Sequence, residues 1–548
     1  MESGRFVLAI VLMIAVIVVT NLLFPPEPPR PAAVEAPADT TAPMAPAAAD
    51  TSRAVTPAER MARAAPAPPV GPADTIVVAS PLYRYALSTR GAAVVGAELL
   101  EFPSFSQPGP VQLVPPDVAA LVGYQLRIGD RVVELGNLPF RAEPDGPVAV
   151  EPGGGARTVQ LIHEDPQGAF SIRLRYTFVP DHYLIDVEGD VTVPGAEPPV
   201  LGIELGPTLA VHEAEPRQDY RALAFVVNGT REGIRSVSLD DVEAQRIEEG
   251  PLTWVALKNK YFLAAAMTAD EEAAFGGLIA SPTPREHAAD LVATLPVGRD
   301  GTFAYRLYLG PQEPERLAAL GNGLEDVNPI GWAIFRPIIR PLAHVITWAI
   351  VALHRILGLG YGWVLILFGV LIRGILWPLN AKAMRSQMKN MALQPRIQEI
   401  QKKYKDNPER LQKEMIRLYR EEGFNPLGGC LPMLIPYPVL ITLYFVFLNT
   451  IEFRGVGFLW LPDLSRPDPL YILPLLLGAS MFLMQRISAR VTPPNPQTKM
   501  FMYFMPAVMV VIFLNFASGL NLYYVAQNVA SIPQQIQLAK ERQRQQRR

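Results

Sequence analysis

The chain has 548 residues, 49% of them hydrophobic, a mean hydropathy of +0.17 and a formal net charge of −3. That length allows several domains, the hydropathy is high for a soluble protein, and so small a net charge excludes nucleic acid as a direct bulk partner. The single cysteine, Cys430, excludes internal disulfides and any metal site built from cysteines of one chain.

Arg5 precedes an apolar run from Phe6 to Val19 that Leu22, Leu23 and Phe24 extend, about the length that crosses a hydrocarbon core. The run ends in bulky residues and Pro25 rather than small ones, so residues 1–24 read as a retained transmembrane signal-anchor. A cleaved signal peptide is the alternative. Residues 25–74 are dominated by Pro and Ala, cannot bury a core, and are expected to form a disordered tether.

Between Thr75 and Pro311 the pattern changes to short β-branched and aromatic segments, such as those starting at Thr75, Phe170 and Tyr183, separated by Gly, Pro and Asp at turn spacing. Residues 75–320 are therefore expected to form an all-β sandwich. His163, Glu164, Asp165, His182 and His212 are its candidate chemistry, but they lack metal-ligand spacing, and a binding or docking surface is the better expectation.

Residues 330–358 are apolar on much of their circumference, with Arg336, Arg340, Thr347 and His354 on one stripe and Trp332 and Trp348 as anchors. Such a helix is expected to lie in the membrane interface. Five candidate spans follow within 361–539: Tyr361–Leu379, Leu431–Leu448, Leu470–Gln485, Met500–Phe516 and Leu520–Ala539, the third interrupted by Pro474. Basic residues crowd the segment from Lys382 to Arg420, the segment from Arg486 to Lys499 and the tail 540–548. Lysine and arginine near span ends stay in the cytoplasm. With Arg5 also inside, six transmembrane helices in total leave both termini cytoplasmic and the β-domain outside.

Within residues 381–425, apolar positions recur at helical intervals on either side of the Asp406-Asn-Pro turn, which predicts a cytoplasmic helical hairpin. Met384, Met388, Met391, Lys402, Lys403 and Met415 are its candidate contacts to a nascent chain or to lipid headgroups. Packing of the hairpin on itself alone is the other reading.

Arg373 stands inside the first span of this block, on the order of 10 Å from the basic end at Lys382 given a helical rise of 1.5 Å. Placing a guanidinium there costs at least about 2.5–3.5 kcal/mol, and no Asp or Glu falls within the other four spans to offset it. Either the side chain snorkels to cytoplasmic water, or the bundle holds a wet groove in which an unpaired arginine meets an acidic or polar group of another molecule. Asn449, Gln485, Asn515, Ser518, Asn521 and Gln527 are further candidates for that groove, with Thr442 and Asn528 beside them; some of these can serve interhelical hydrogen bonds instead.

Four segments carry a resemblance: Ile372-Arg-Gly-Ile-Leu-Trp-Pro-Leu, Asn425-Pro-Leu-Gly-Gly-Cys-Leu-Pro-Met-Leu-Ile, Asp468-Pro-Leu-Tyr-Ile-Leu-Pro and Ser518-Gly-Leu-Asn-Leu-Tyr-Tyr. In this order they resemble the YidC/Oxa/Alb insertases, in the Gram-negative form with a large periplasmic domain. The resemblance covers the whole chain. It implies a bacterial inner-membrane, multi-pass insertase and chaperone that acts as a monomer on nascent membrane proteins, alone or with the Sec translocon and its accessory subunits, touching ribosomes and membrane lipids. It implies that Arg373 is the groove arginine and that Tyr523 and Tyr524 lie where clients are contacted. Gly369 departs from the polar residue expected one turn before the arginine in some relatives. No cofactor is expected, because the chain lacks a phosphate-binding Gly-rich loop and a ligand cluster. A small-solute transporter is the alternative, and it lacks support from repeat symmetry or carboxylate relays. A membrane-anchored carbohydrate-processing enzyme is a third possibility, which predicts activity in the isolated segment Thr75–Pro311.

Overall fold

The computed structural model describes residues 74–548 except 196–197, 271–273, 329–330, 332–334, 379–380, 382–395, 398, 406, 422–435, 490–495 and 547–548. All described residues fall in one unit of the chain, Val55–Arg548. The expected anchor at 1–24, nearly all of the linker, Trp332, Met384, Met388, Met391, Cys430 and the Asn425–Ile435 segment lie outside the described residues.

Among the described residues nineteen strands, β1 (Thr75–Ala79) to β19 (Thr302–Pro311), form one hydrogen-bonded network. Period-two burial builds it. In β10 (Ser171–Phe178), Ile172, Leu174, Tyr176 and Phe178 point into the core while their neighbours face outward. One layer runs β7 (Arg141–Glu143), β9 (Arg157–Glu164), β10, β11 (Leu184–Thr192), β19, β16 (Phe262–Thr268) and β15 (Arg246–Lys258), all antiparallel. The other runs from β15 through β17 (Phe275–Pro282), β18 (Ala289–Pro296), β12 (Val200–Leu205), β5 (Val122–Ile128), β3 (Val94–Pro103) and β2 (Tyr83–Ser88) to β1. The long strand β15 (Arg246–Lys258) serves both, pairing β17 through its first half and β16 through its second. Across the core, the Tyr124 hydroxyl of β5 meets those of Tyr176 and Tyr305 on the opposite layer, each at 2.6 Å. The sandwich expected from turn spacing is present.

Two short helices flank this domain, α1 (Pro216–Ala222) and α2 (Pro314–Leu320), each opening with Pro in its first turn, where a missing N–H costs nothing. Then come α3 (Arg336–Leu357), α4 (Tyr361–Ile375), α5 (Pro408–Glu421), α6 (Pro436–Asn449), α7 (Ile472–Ala489), α8 (Pro496–Phe513) and α9 (Ser518–Gln546). Among the described residues only α3 is both long and apolar enough to cross a membrane; the apolar stretches of α4, α6, α7 and α8 are shorter. Arg340 pairs with Asp326 of the β-domain, His344 lies 3.8 Å from the same carboxylate, and Arg355 reaches Glu315 at 2.5 Å. Residues near both ends of α3 thus touch one domain.

One sequence expectation is corrected. Pro474 does not interrupt the third span, because α7 begins at Ile472 and its first turn tolerates proline. The basic segment from Lys540 continues α9 as helix to Gln546.

The segment between α6 and α7 joins the two parts. Ile451 enters the core of the β-domain, while Phe453, Phe458, Leu461 and Leu464 enter that of the helices. Asp468 is fully buried and accepts from the backbone N–H of Leu470 (3.0 Å) and Leu473 (2.7 Å) and from Trp460 Nε1 (3.2 Å), so it caps the start of α7.

Candidate functional site

The groove candidate is built where α4 packs on α9. Gly369 makes the approach possible: a Cβ there would stand 3.1 Å from the Tyr523 carbonyl and 3.5 Å from the Ala526 methyl. A glycine thus occupies a position where a polar side chain would have separated the helices. One turn further along α4, an Arg373 terminal nitrogen donates to Gln534 Oε1 at 2.7 Å, and the same amide donates back to the Trp377 carbonyl at 3.2 Å. Gln534 is buried and neutral. It orients the guanidinium without cancelling its charge, and among the described residues no carboxylate pairs with Arg373. Arg373 Nε and the Tyr523 hydroxyl are buried and have no hydrogen-bond partner among the described residues.

The other groove candidates divide. Tyr523 is fully buried, with its ring 5.9 Å from Phe368 and 5.2 Å from Tyr524. Gln485 and Gln527 are half-buried and Asn515 is exposed. Ser518 and Asn521 serve the opposite end of α9: the Ser518 hydroxyl donates to the Asp463 carbonyl (3.0 Å), and Asn521 Nδ2 donates to the Phe513 carbonyl (3.1 Å). Asn449 donates to the Phe445 carbonyl of its own helix (2.9 Å) and Thr442 to that of Pro438 (2.6 Å), the back-bonding by which a polar side chain is tolerated in an apolar helix. Asn528 reaches Ser480 of α7 at 3.0 Å. Gln534 was not among the sequence candidates. Its signal is a glutamine just after Pro533, and that signal is hard to separate from the other polar residues around it, Gln527, Asn528, Ser531, Gln535 and Gln537.

Of the expected hairpin, the structure describes α5, capped by Asn407, whose side chain accepts from the Arg410 N–H at 3.1 Å, with Pro408 as the first helical residue. Met415 is half-buried, while Lys402 and Lys403 are exposed.

In the β-domain, His163 bonds the Pro139 carbonyl through Nδ1 (2.7 Å) between the rings of Phe140 and Phe170. His212 is buried, donating from Nε2 to the Gln112 carbonyl (2.6 Å) and accepting at Nδ1 from Ser104 (2.9 Å). Burial holds its pKa below the ordinary histidine value. Asp165 caps a turn by accepting from the N–H groups of Gln167 and Ala169, and His182 is exposed. His163 and Asp165 are neighbours in the chain but each bonds backbone groups, and no group of three potential metal ligands occurs among the described residues.

The family model described as YidC periplasmic domain matches residues 75–345, and that described as 60Kd inner membrane protein matches residues 352–546. The membrane protein insertase YidC of Cupriavidus taiwanensis is 34% identical over 523 residues, covering 93% of this chain and 89% of the relative. This chain belongs to the YidC family. The YidC of Chlorobaculum tepidum is 32% identical over 494 residues, covering 85% of this chain and 82% of the relative. A crystal structure of an active YidC insertase with its first transmembrane domain resolved aligns over 86% of this chain at 18% identity and a TM-score of 0.34. Three of the four YidC-like segments now have structural roles in this chain. The first carries Arg373, the third supplies the Asp468 cap, and the fourth seats α9 on the segment before α7, where the Gly519 N–H donates to the Leu464 carbonyl (2.9 Å) and a Cβ on Gly519 would stand 2.6 Å from the Phe447 ring.

Proposed function

We propose that this chain is an inner-membrane insertase that receives newly made membrane proteins at Arg373 and releases them into lipid. The observation that carries the reading is the Arg373–Gln534 contact: the guanidinium is held by a neutral amide, keeps its full charge, and retains an unused donor at Nε. A permanent cation set among apolar residues attracts the acidic or polar tail of a client, and the client's apolar stretch then slides along α4 and α9 into the bilayer. Transfer of apolar surface at about 25 cal/mol per Å² and the membrane potential acting on acidic tails supply the driving force, so no nucleotide is needed.

In this reading α4, α6, α7, α8 and α9 cross the membrane with the N-terminal anchor, both termini are cytoplasmic, and the β-domain is periplasmic. Helix α3 lies along the membrane surface. Its contacts to Asp326 and Glu315 from positions roughly 22 Å apart along the helix support this, because a crossing helix carries one of its ends away from the domain. The exposed lysines of the 381–425 segment face the ribosome or lipid headgroups, and the chain works as a monomer, alone or beside the Sec translocon. The test is insertion of an acid-tailed client into proteoliposomes holding the full chain. Arg373→Ala is expected to lower insertion about tenfold or more and Arg373→Lys by less; undiminished insertion by Arg373→Ala removes the role.

A further inference from the structure

A cavity of about 260 Å³ lies between α2, α3 and α6, away from Arg373. Its walls are mainly apolar, with Leu317, Ala343, Val351, Phe445 and Val446 among them. Among the described residues three carboxylates line it, Glu315, Glu325 and Glu452, and no lysine or arginine does. Glu315 is matched by Arg355. The Oε2 of Glu452 is buried and has no hydrogen-bond partner among the described residues. Glu452 sits just past the end of α6, so the acidic group caps a wall that continues through Val446 and Phe445 along that helix. Trp348 both lines the cavity and is 68% exposed, and Val345 and Ile356 of the same helix are also exposed. The cavity therefore opens beside the apolar face of α3.

We propose that this cavity binds a phospholipid with a primary-ammonium headgroup, the ammonium donating to Glu452 and one acyl chain running down past Val446 and Phe445. Charge selects the head. A buried carboxylate oxygen without a partner, in a cavity that two further carboxylates line, disfavours an anionic headgroup and rewards a cation that carries N–H donors. A quaternary ammonium has the charge but no donor, so it leaves Oε2 unsatisfied. Size selects how much enters: the volume equals roughly nine waters at about 30 Å³ each, room for a headgroup and the first carbons of a chain but not for a whole lipid. Access selects the source, because an amphiphile already in the bilayer reaches the opening at Trp348 without crossing water.

The full chain in detergent, mixed with phosphatidylethanolamine, phosphatidylcholine and phosphatidylglycerol of identical acyl chains, is analysed by native mass spectrometry. Phosphatidylethanolamine is expected to be retained at least about fivefold over the other two, the worth of one charge-assisted hydrogen bond. Glu452→Gln is expected to abolish that preference, and Val351→Trp, which fills the apolar wall, to reduce retention of phosphatidylethanolamine. Equal retention of the three lipids by the wild-type chain overturns the proposal whatever the variants do, as does a preference that survives both substitutions. A photoreactive residue at Thr347 is expected to capture lipid; capture of a client segment instead also overturns it.

Discussion

Arg454 and Glu213 form an ion pair at 2.6 Å with side chains only 2% and 7% exposed, although 241 positions separate them in the chain. The guanidinium also lies over the Phe105 ring at 4.3 Å, so it is stacked as well as paired. Burial pushes the Glu213 carboxyl up, and Arg454 pulls it back. The pair pins the segment after α6 to the β-domain. Removing one partner strands a buried charge, so Arg454→Ala or Glu213→Ala is expected to cost about 3–5 kcal/mol of local stability, whereas the double replacement Arg454→Met with Glu213→Leu costs less than either. Thermal unfolding and limited proteolysis of the four proteins check this; double-mutant loss equal to the sum of the singles contradicts it.

Glu452 gives a pH dependence. Burial is the main cause that pushes its carboxyl up to about 7 from 4.5, and nearby Glu313 and Glu315 add to it. The folded protein then holds a proton that the unfolded chain has released between those values, so this residue's contribution to stability is greatest below about pH 4.5 and is lost as pH rises through 7. In lipid-free detergent, Glu452→Gln is expected to melt above wild type at pH 8, with the gap closing toward pH 5. A gap that is constant with pH rules this out.

Asp468 has three donors on it and no solvent. Asp468→Ala is expected to lose on the order of 2–3 kcal/mol, the sum of a lost cap and a stranded indole N–H. Asp468→Asn, which keeps one acceptor oxygen, should recover part of this. Melting temperature and Trp460 emission read the two effects; a silent alanine variant removes the capping role.

The position of Gly369 predicts a graded series. Alanine there meets the Tyr523 carbonyl at 3.1 Å and needs a shift of a few tenths of an ångström, so its effect should be under about 1 kcal/mol. Leucine has to displace α9 and is expected to cut both stability and client insertion. Equal behaviour of the alanine and leucine variants argues against a close approach.

The sandwich was legible because period-two burial is local: Ile172, Leu174 and Tyr176 announce their shared face within a single strand. Arg373 was legible because a charge in an apolar run is conspicuous without any knowledge of its neighbours. Its partner was not, since Gln534 lies 161 positions away and only packing brings them together. Asn449, Ser518 and Asn521 are groove candidates by polarity alone; the Asn449 Nδ2, the Ser518 hydroxyl and the Asn521 Nδ2 each donate to a nearby carbonyl, while the buried Asn521 Oδ1 has no partner among the described residues. Composition reports that a polar group is present, and only coordinates report what it bonds. The Arg454–Glu213 pair had no local signature at all.

The two glycines that let α9 sit close to its neighbours are unevenly placed. Gly519 lies at the very start of the helix and faces Phe447, Gly369 meets it near Tyr523, and Gln534 comes more than two turns later. Close backbone approach thus holds α9 at Gly519 and Gly369, whereas at Gln534 the tie to α4 is made by side-chain hydrogen bonds to Arg373 and the Trp377 carbonyl, which a competing polar group can replace without moving backbone.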